Sequence, residues 1–142
     1  MNKLHLTIQV GVGAGPLRFG MTSQEAANSL GLVPKRSLES RFSDETSDFY
    51  WDPFLKLSFE PGRGLTLIET TAECGVSVDF EGQILLNDTG YIENIQNILA
   101  ARDPNSFIEY QQVVFPALGI SIPKDLSDKS ASFAIAPITS ES

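Results

Sequence analysis

The chain has 142 residues with one cysteine and one histidine, and its 18 acidic side chains against 10 basic ones give a formal charge of −8. That length predicts a single domain, 1–142, able to bury a core without disulfides or metals, and a lone thiol excludes an intramolecular disulfide and a cysteine-rich metal site. The acidic balance argues against nucleic acid, whose binding is driven by neutralising phosphates, and against an anionic membrane surface.

The charge is uneven. Residues 1–71 hold seven Lys/Arg and eight Asp/Glu, whereas residues 72–142 hold three and ten. Such a surface attracts a basic partner and speeds its association. Cys74 reads as a packing residue in a reducing compartment. The absence of a signal-like apolar run and of a span-length apolar stretch predicts a cytoplasmic protein.

Leu4, Leu6, Ile8 and Val10 alternate with polar residues, which predicts a half-buried first strand. The glycine-rich stretch from Gly11 to Gly20 then leads into a helix. Thr22 and Glu25 have capping-box spacing, Ala26, Ala27 and Leu30 supply its apolar side, and Gly31 stands where a left-handed cap belongs. Residues 32–48, with Pro34 and several serines, read as loop. Phe49–Phe59 and Leu65–Thr71 predict a hairpin turned by Pro61-Gly62-Arg63-Gly64.

Val76–Phe80 predicts the next strand, continuing through Gln83–Leu86 toward a helix cap at Asp88 or Thr89. Ile92, Ile95, Ile98 and Leu99 form one helical stripe, ended at Asp103-Pro104. Tyr110–Phe115, Leu118–Ile122 and Ser132–Ile138 predict further strands. The fold class is therefore α+β, a mainly antiparallel sheet with two helices. The order of elements suggests a tandem duplication of a β-α-β-β unit, with repeats at 1–71 and 76–138. Asp52-Pro53-Phe54-Leu55-Lys56-Leu57-Ser58-Phe59 resembles Phe115-Pro116-Ala117-Leu118-Gly119-Ile120-Ser121-Ile122.

Catalytic and cofactor motifs are missing. Gly11, Gly13 and Gly15 are followed by Pro16 where a dinucleotide fingerprint needs glycine, and no lysine follows as in a phosphate-binding loop. No nucleophile elbow exists, His5 alone forms no helical metal pair, and the acids follow no calcium-loop pattern. The sequence thus predicts no cofactor, no metal and no catalytic residue, although dispersed carboxylates leave an enzyme open. The unusual stretch is Phe42–Phe54, which interleaves acids with aromatics. Asp44, Glu45, Asp48, Phe49, Tyr50, Trp51 and Asp52 are the candidate partner-binding residues, because aromatics dominate contact energy and carboxylates steer a cation. The same pattern also fits aromatics buried at a strand entry with their acids in solvent.

The segment Gly15-Pro16-Leu17-Arg18-Phe19-Gly20-Met21-Thr22-Ser23-Gln24-Glu25-Ala26, closing at Leu30-Gly31, resembles the G-M-T/S-x-x-E helix entry of outer-membrane assembly lipoproteins and of β-lactamase-inhibitory-protein-like domains. It is also similar to small immunity proteins of contact-dependent inhibition and polymorphic toxin systems. The inhibitor and immunity resemblances imply protein binding by the sheet or its loops, here an immunity protein that neutralises a basic toxin domain. The alternatives are a small-molecule-binding or regulatory domain with a groove between the halves, and an enzyme with dispersed carboxylates.

Overall fold

The computed structural model describes residues 4–39, 44–51, 53–72, 75–87 and 89–138; Asp52, Cys74 and Asp88 lie outside them. Alternation makes β1 (Leu4–Gln9), which bends back through β2 (Gly13–Gly15) and β3 (Leu17–Arg18). The glycine-rich stretch that leads into the helix is therefore partly sheet. Gly13 is needed there, since a Cβ would stand 2.3 Å from the Leu17 carbonyl oxygen.

Helix α1 (Ser23–Leu30) forms where its caps demand. The Thr22 hydroxyl accepts from the Glu25 amide, the Glu25 carboxylate accepts from the Thr22 amide, and Gly31 closes the end at φ 68°. The stretch read as loop then holds β4 (Arg36–Glu39) and the start of β5 (Thr46–Trp51), which pair antiparallel. β6 (Phe54–Glu60) and β7 (Gly64–Thr70) form the expected hairpin.

The second half opens with β8 (Val76–Phe80), β9 (Gln83–Asn87) and β10 (Gly90–Tyr91). The expected cap at Thr89 is a correction: its amide and hydroxyl both donate to Asn87 Oδ1, at 2.9 and 2.6 Å, in a side-chain turn. Helix α2 begins later, as Ile95–Ala100 after Asn94, whose side chain makes no cap hydrogen bond. Then follow β11 (Phe107–Glu109), β12 (Gln112–Phe115), β13 (Ile120–Pro123) and β14 (Phe133–Ile135). Tyr110, expected inside a strand, sits in the turn between β11 and β12.

The strands make a six-stranded sheet, β10-β9-β8-β1-β2-β3, and an eight-stranded sheet, β11-β12-β13-β14-β7-β6-β5-β4. Among the described strands β1–β8 is the one parallel pair. The fold is thus mostly antiparallel sheet with two short helices. Leu6, Ile8, Val76 and Val78 from the smaller sheet join Leu55, Leu57, Ile68, Ile120, Phe133 and Ile135 from the larger in one core. Residues 95 and 99 anchor α2 to it. Asp103, buried after that helix, accepts from the Asn105 amide at 3.0 Å and the Ala117 amide at 2.7 Å, tying α2 to the β12–β13 turn.

Among the described residues no helix is long and apolar enough to cross a membrane.

Candidate functional site

Register divides the larger sheet into two rows that read across its strands. Toward the core run Ser37, Asp48, Leu57, Ile68, Ile135, Ile120 and Phe115; on the outer face run Phe49, Lys56, Glu69, Ala134, Ser121, Val114 and Phe107. Side chains alternate along a strand, so β5 splits the candidate residues. Phe49 and Trp51 face outward, whereas Asp48 and Tyr50 face inward and are each only 2% exposed.

The outward aromatics form a cluster. Trp51 is 47% exposed; its ring lies 6.2 Å from that of Phe49 and 5.9 Å from that of Phe54, its cross-strand neighbour. Lys56 Nζ sits 5.7 Å over the Phe49 ring and 3.6 Å from Glu69 Oε1, a cation–π contact and an ion pair sharing one ammonium. The result is an amphipathic, partly exposed surface on the outer face of the sheet.

Asp48 and Tyr50 are corrections to the partner-binding set. The Asp48 carboxylate accepts from the Ser23 hydroxyl on α1 and, at 2.7 Å, from the Ser37 hydroxyl on β4. A buried carboxylate is tolerated because hydroxyls replace its water. It joins the first turn of α1 to the sheet edge and has no surface left for a partner. The Tyr50 hydroxyl is buried with no hydrogen-bond partner among the described residues. Burial first, and the Asp48 charge second, push its pKa up to about 12.

Asp44 is exposed at the rim of a hollow of about 710 Å³, lined also by Thr22, Ser23, Glu60, Arg63 and Gly64. Glu45 lies half-buried at the adjoining one, beside Glu60. The cation of the larger hollow, Arg63, is held by Glu60 at 3.3 Å. All the lining residues of this hollow fall within residues 20–64, not between the halves.

The structure also assembles a group that spacing does not reveal. On the outer face of the smaller sheet, His5 Nδ1 lies 2.6 Å from Ser77 Oγ, and His5 Nε2 lies 2.6 Å from Asp79 Oδ1; the Thr7 hydroxyl donates to the same carboxylate oxygen at 2.8 Å. These residues are separated by about 72 positions and meet because β1 and β8 run parallel in register. A serine, a histidine and an aspartate in hydrogen-bond sequence suggest an activated hydroxyl. Acyl transfer also needs donors aimed at the developing oxyanion. Ser77 pairs with His5 in the β1–β8 ladder, and the register of β8 against β9 shifts just beyond it, between Val78 and Asp79. The set links β1 to β8 through side chains across the parallel pair. No group of three or more His, Cys, Asp or Glu side chains among the described residues is placed to hold a metal ion.

Comparison with known proteins returns no matching family model, no matching curated protein and no matching solved structure.

Proposed function

We propose that the chain is a non-catalytic protein-binding protein, an immunity protein that acts in the cytoplasm by occluding a cognate toxin with a basic surface. The observation that carries this reading is the Phe49–Trp51–Phe54 cluster, three contiguous rings on the outer sheet face with a half-exposed tryptophan at their centre. Such rings lose little conformational entropy on contact and concentrate binding energy. The net charge of −8 supplies long-range attraction to a cationic partner.

The halves are proposed to be a tandem duplication. Each runs three strands, a helix and four strands, and the order in both sheets mirrors about the centre: β8 beside β1, β14 beside β7. The repeating unit is then longer than β-α-β-β. Only the first copy carries the aromatic cluster, so binding through these rings is assigned to that copy.

The test is titration of the purified protein with the product of the adjacent gene, followed by calorimetry. Trp51→Ala and Phe54→Ala are each expected to weaken the complex at least about tenfold, roughly 1.4 kcal/mol. Affinities within twofold of the parent for both variants overturn this surface.

A further inference from the structure

The two edges of the larger sheet are guarded unequally. At one end β4 reads Arg36-Ser37-Leu38-Glu39, with charges at both ends of the strand. At the other, β11 reads Phe107-Ile108-Glu109 and runs into Tyr110. Phe107, Ile108 and Tyr110 are 45%, 62% and 91% exposed. Protein edges are normally blunted by shortness, charge, proline or a bulge; β11 is short and ends on Glu109, but its other two side chains are apolar and exposed.

Its backbone is presented as well. β11 and β12 are joined by two residues, Tyr110 and Gln111, at φ 50° and 66°, the doubly left-handed turn of a tight hairpin, held here without glycine. In such a hairpin the flanking pair, Glu109 and Gln112, exchanges hydrogen bonds, and pairing alternates from there. Ile108 is therefore the residue whose N–H and C=O point away from β12.

Beside this edge the outer face sinks. Small side chains at Ala134 and Ser121 separate Glu69 from Val114 and Phe107, leaving a hollow of about 520 Å³ with Glu109 at its margin. Its lining includes Glu69 and Glu109 and no basic residue. Glu69 is paired with Lys56; Glu109 has no ion pair among the described residues.

We propose that β11 is a strand-addition site, where an extended segment of a partner protein pairs with Ile108 as a ninth strand and sets a lysine or arginine beside Glu109. Main-chain hydrogen bonds supply the affinity of such contacts, and alternate side chains supply the selectivity. An apolar residue of the segment packs beside Ile108 on one face, and cationic residues meet the acidic hollow on the other. The inference rests on the protein-binding reading, and it names a surface apart from Trp51.

The probe is a fluorescent, end-blocked hexapeptide alternating lysine and valine, followed by anisotropy. Saturable binding is expected, at least tenfold weaker for the glutamate–valine peptide and for Ile108→Pro and Glu109→Lys proteins. Methylating every second peptide amide in one phase is expected to weaken binding tenfold, and in the other phase to leave it unchanged. That comparison leaves the protein untouched, so it stays decisive if a variant fails to fold. Absence of saturable binding, or equal binding by both methylated peptides, overturns the proposal. Loss of binding in Trp51→Ala but not in Ile108→Pro overturns it while leaving the protein-binding reading in place. So does a dimer in sedimentation velocity that Ile108→Pro abolishes, since a second copy is then the occupant.

Discussion

Tyr50 and Trp51 are consecutive on β5, yet one ring is sealed in the core and the other lies half in solvent on the opposite face of the sheet. A substitution at one therefore reports on stability, and at the other on recognition.

Tyr50→Phe is expected to leave stability unchanged or raise it by about 1 kcal/mol, because it deletes a buried hydroxyl that has no hydrogen-bond partner among the described residues. Urea unfolding measures this. A loss greater than about 1 kcal/mol would reveal a hydrogen bond for that hydroxyl.

Asp48→Ala is expected to lower stability by about 2–3 kcal/mol, since the Ser23 and Ser37 hydroxyls both lose a charged acceptor. Asp44→Ala, at an exposed position, is expected to stay within about 0.5 kcal/mol of the parent. Thermal unfolding of the two variants separates the structural acid from the surface one.

Gly64 and Gly62 share one turn and differ in surroundings. Both are left-handed, at φ 70° and 75°, but a Cβ on Gly64 would stand 2.4 Å from the Gly20 carbonyl oxygen, whereas nothing lies within 4 Å of one on Gly62. Gly62→Ala is expected to cost about 1 kcal/mol, the left-handed penalty alone. Gly64→Ala adds a backbone clash and is expected to cost more than about 2 kcal/mol. Equal melting temperatures for the two would contradict this packing.

The pH dependence has two ends. Burial raises the Tyr50 pKa to about 12 and also raises that of Tyr91, where the Asp128 charge adds to the effect. A pKa raised by folding contributes stability that is whole below the unfolded value of about 10 and is lost as pH climbs through the folded value. Alkaline unfolding should therefore steepen above pH 10, with both phenols ionising as the fold is lost. At the acid end, hydrogen bonds from the Ser127 hydroxyl and amide lower the Asp125 pKa. Its contribution is present above about pH 4 and lost below, and it is small because the side chain is exposed. Ultraviolet absorbance and circular dichroism along the titration check both ends.

Where structure depended on neighbours in sequence, it was legible. Thr22, Glu25 and Gly31 cap α1 through contacts within a few positions, and Phe54–Thr70 alternates around a glycine-rich turn. Where it depended on distant partners, it was not. Arg36–Glu39 has no β-branched residue, and it is a strand because β5 lies beside it. Asp48 turns inward because hydroxyls from α1 and β4 await it, and no local pattern distinguishes that from the solvated acid expected. The meeting of His5 with Ser77 and Asp79 needs the parallel register of β1 on β8, which alternation leaves open. α2 starts at Ile95 because Gly90 and Tyr91, which would have opened a helix capped at Thr89, pair instead with Asn87 and Leu86 as β10.

The position of β14 governs the order in which the molecule can be completed. It lies between β13 and β7 and pairs Phe133 and Ile135 with Thr70 and Ile68, across more than sixty residues of chain. On the ribosome β4 to β7 emerge long before the strand that must cover β7. Until residues 133–135 arrive, the larger sheet is two four- and three-stranded fragments, and the nascent chain carries a raw inner edge rich in leucine and isoleucine. Such long-range closure is slow, and an unpaired edge of that kind is where intermediates aggregate. Folding yield is thus tied to the docking of three residues near the far end of the sequence.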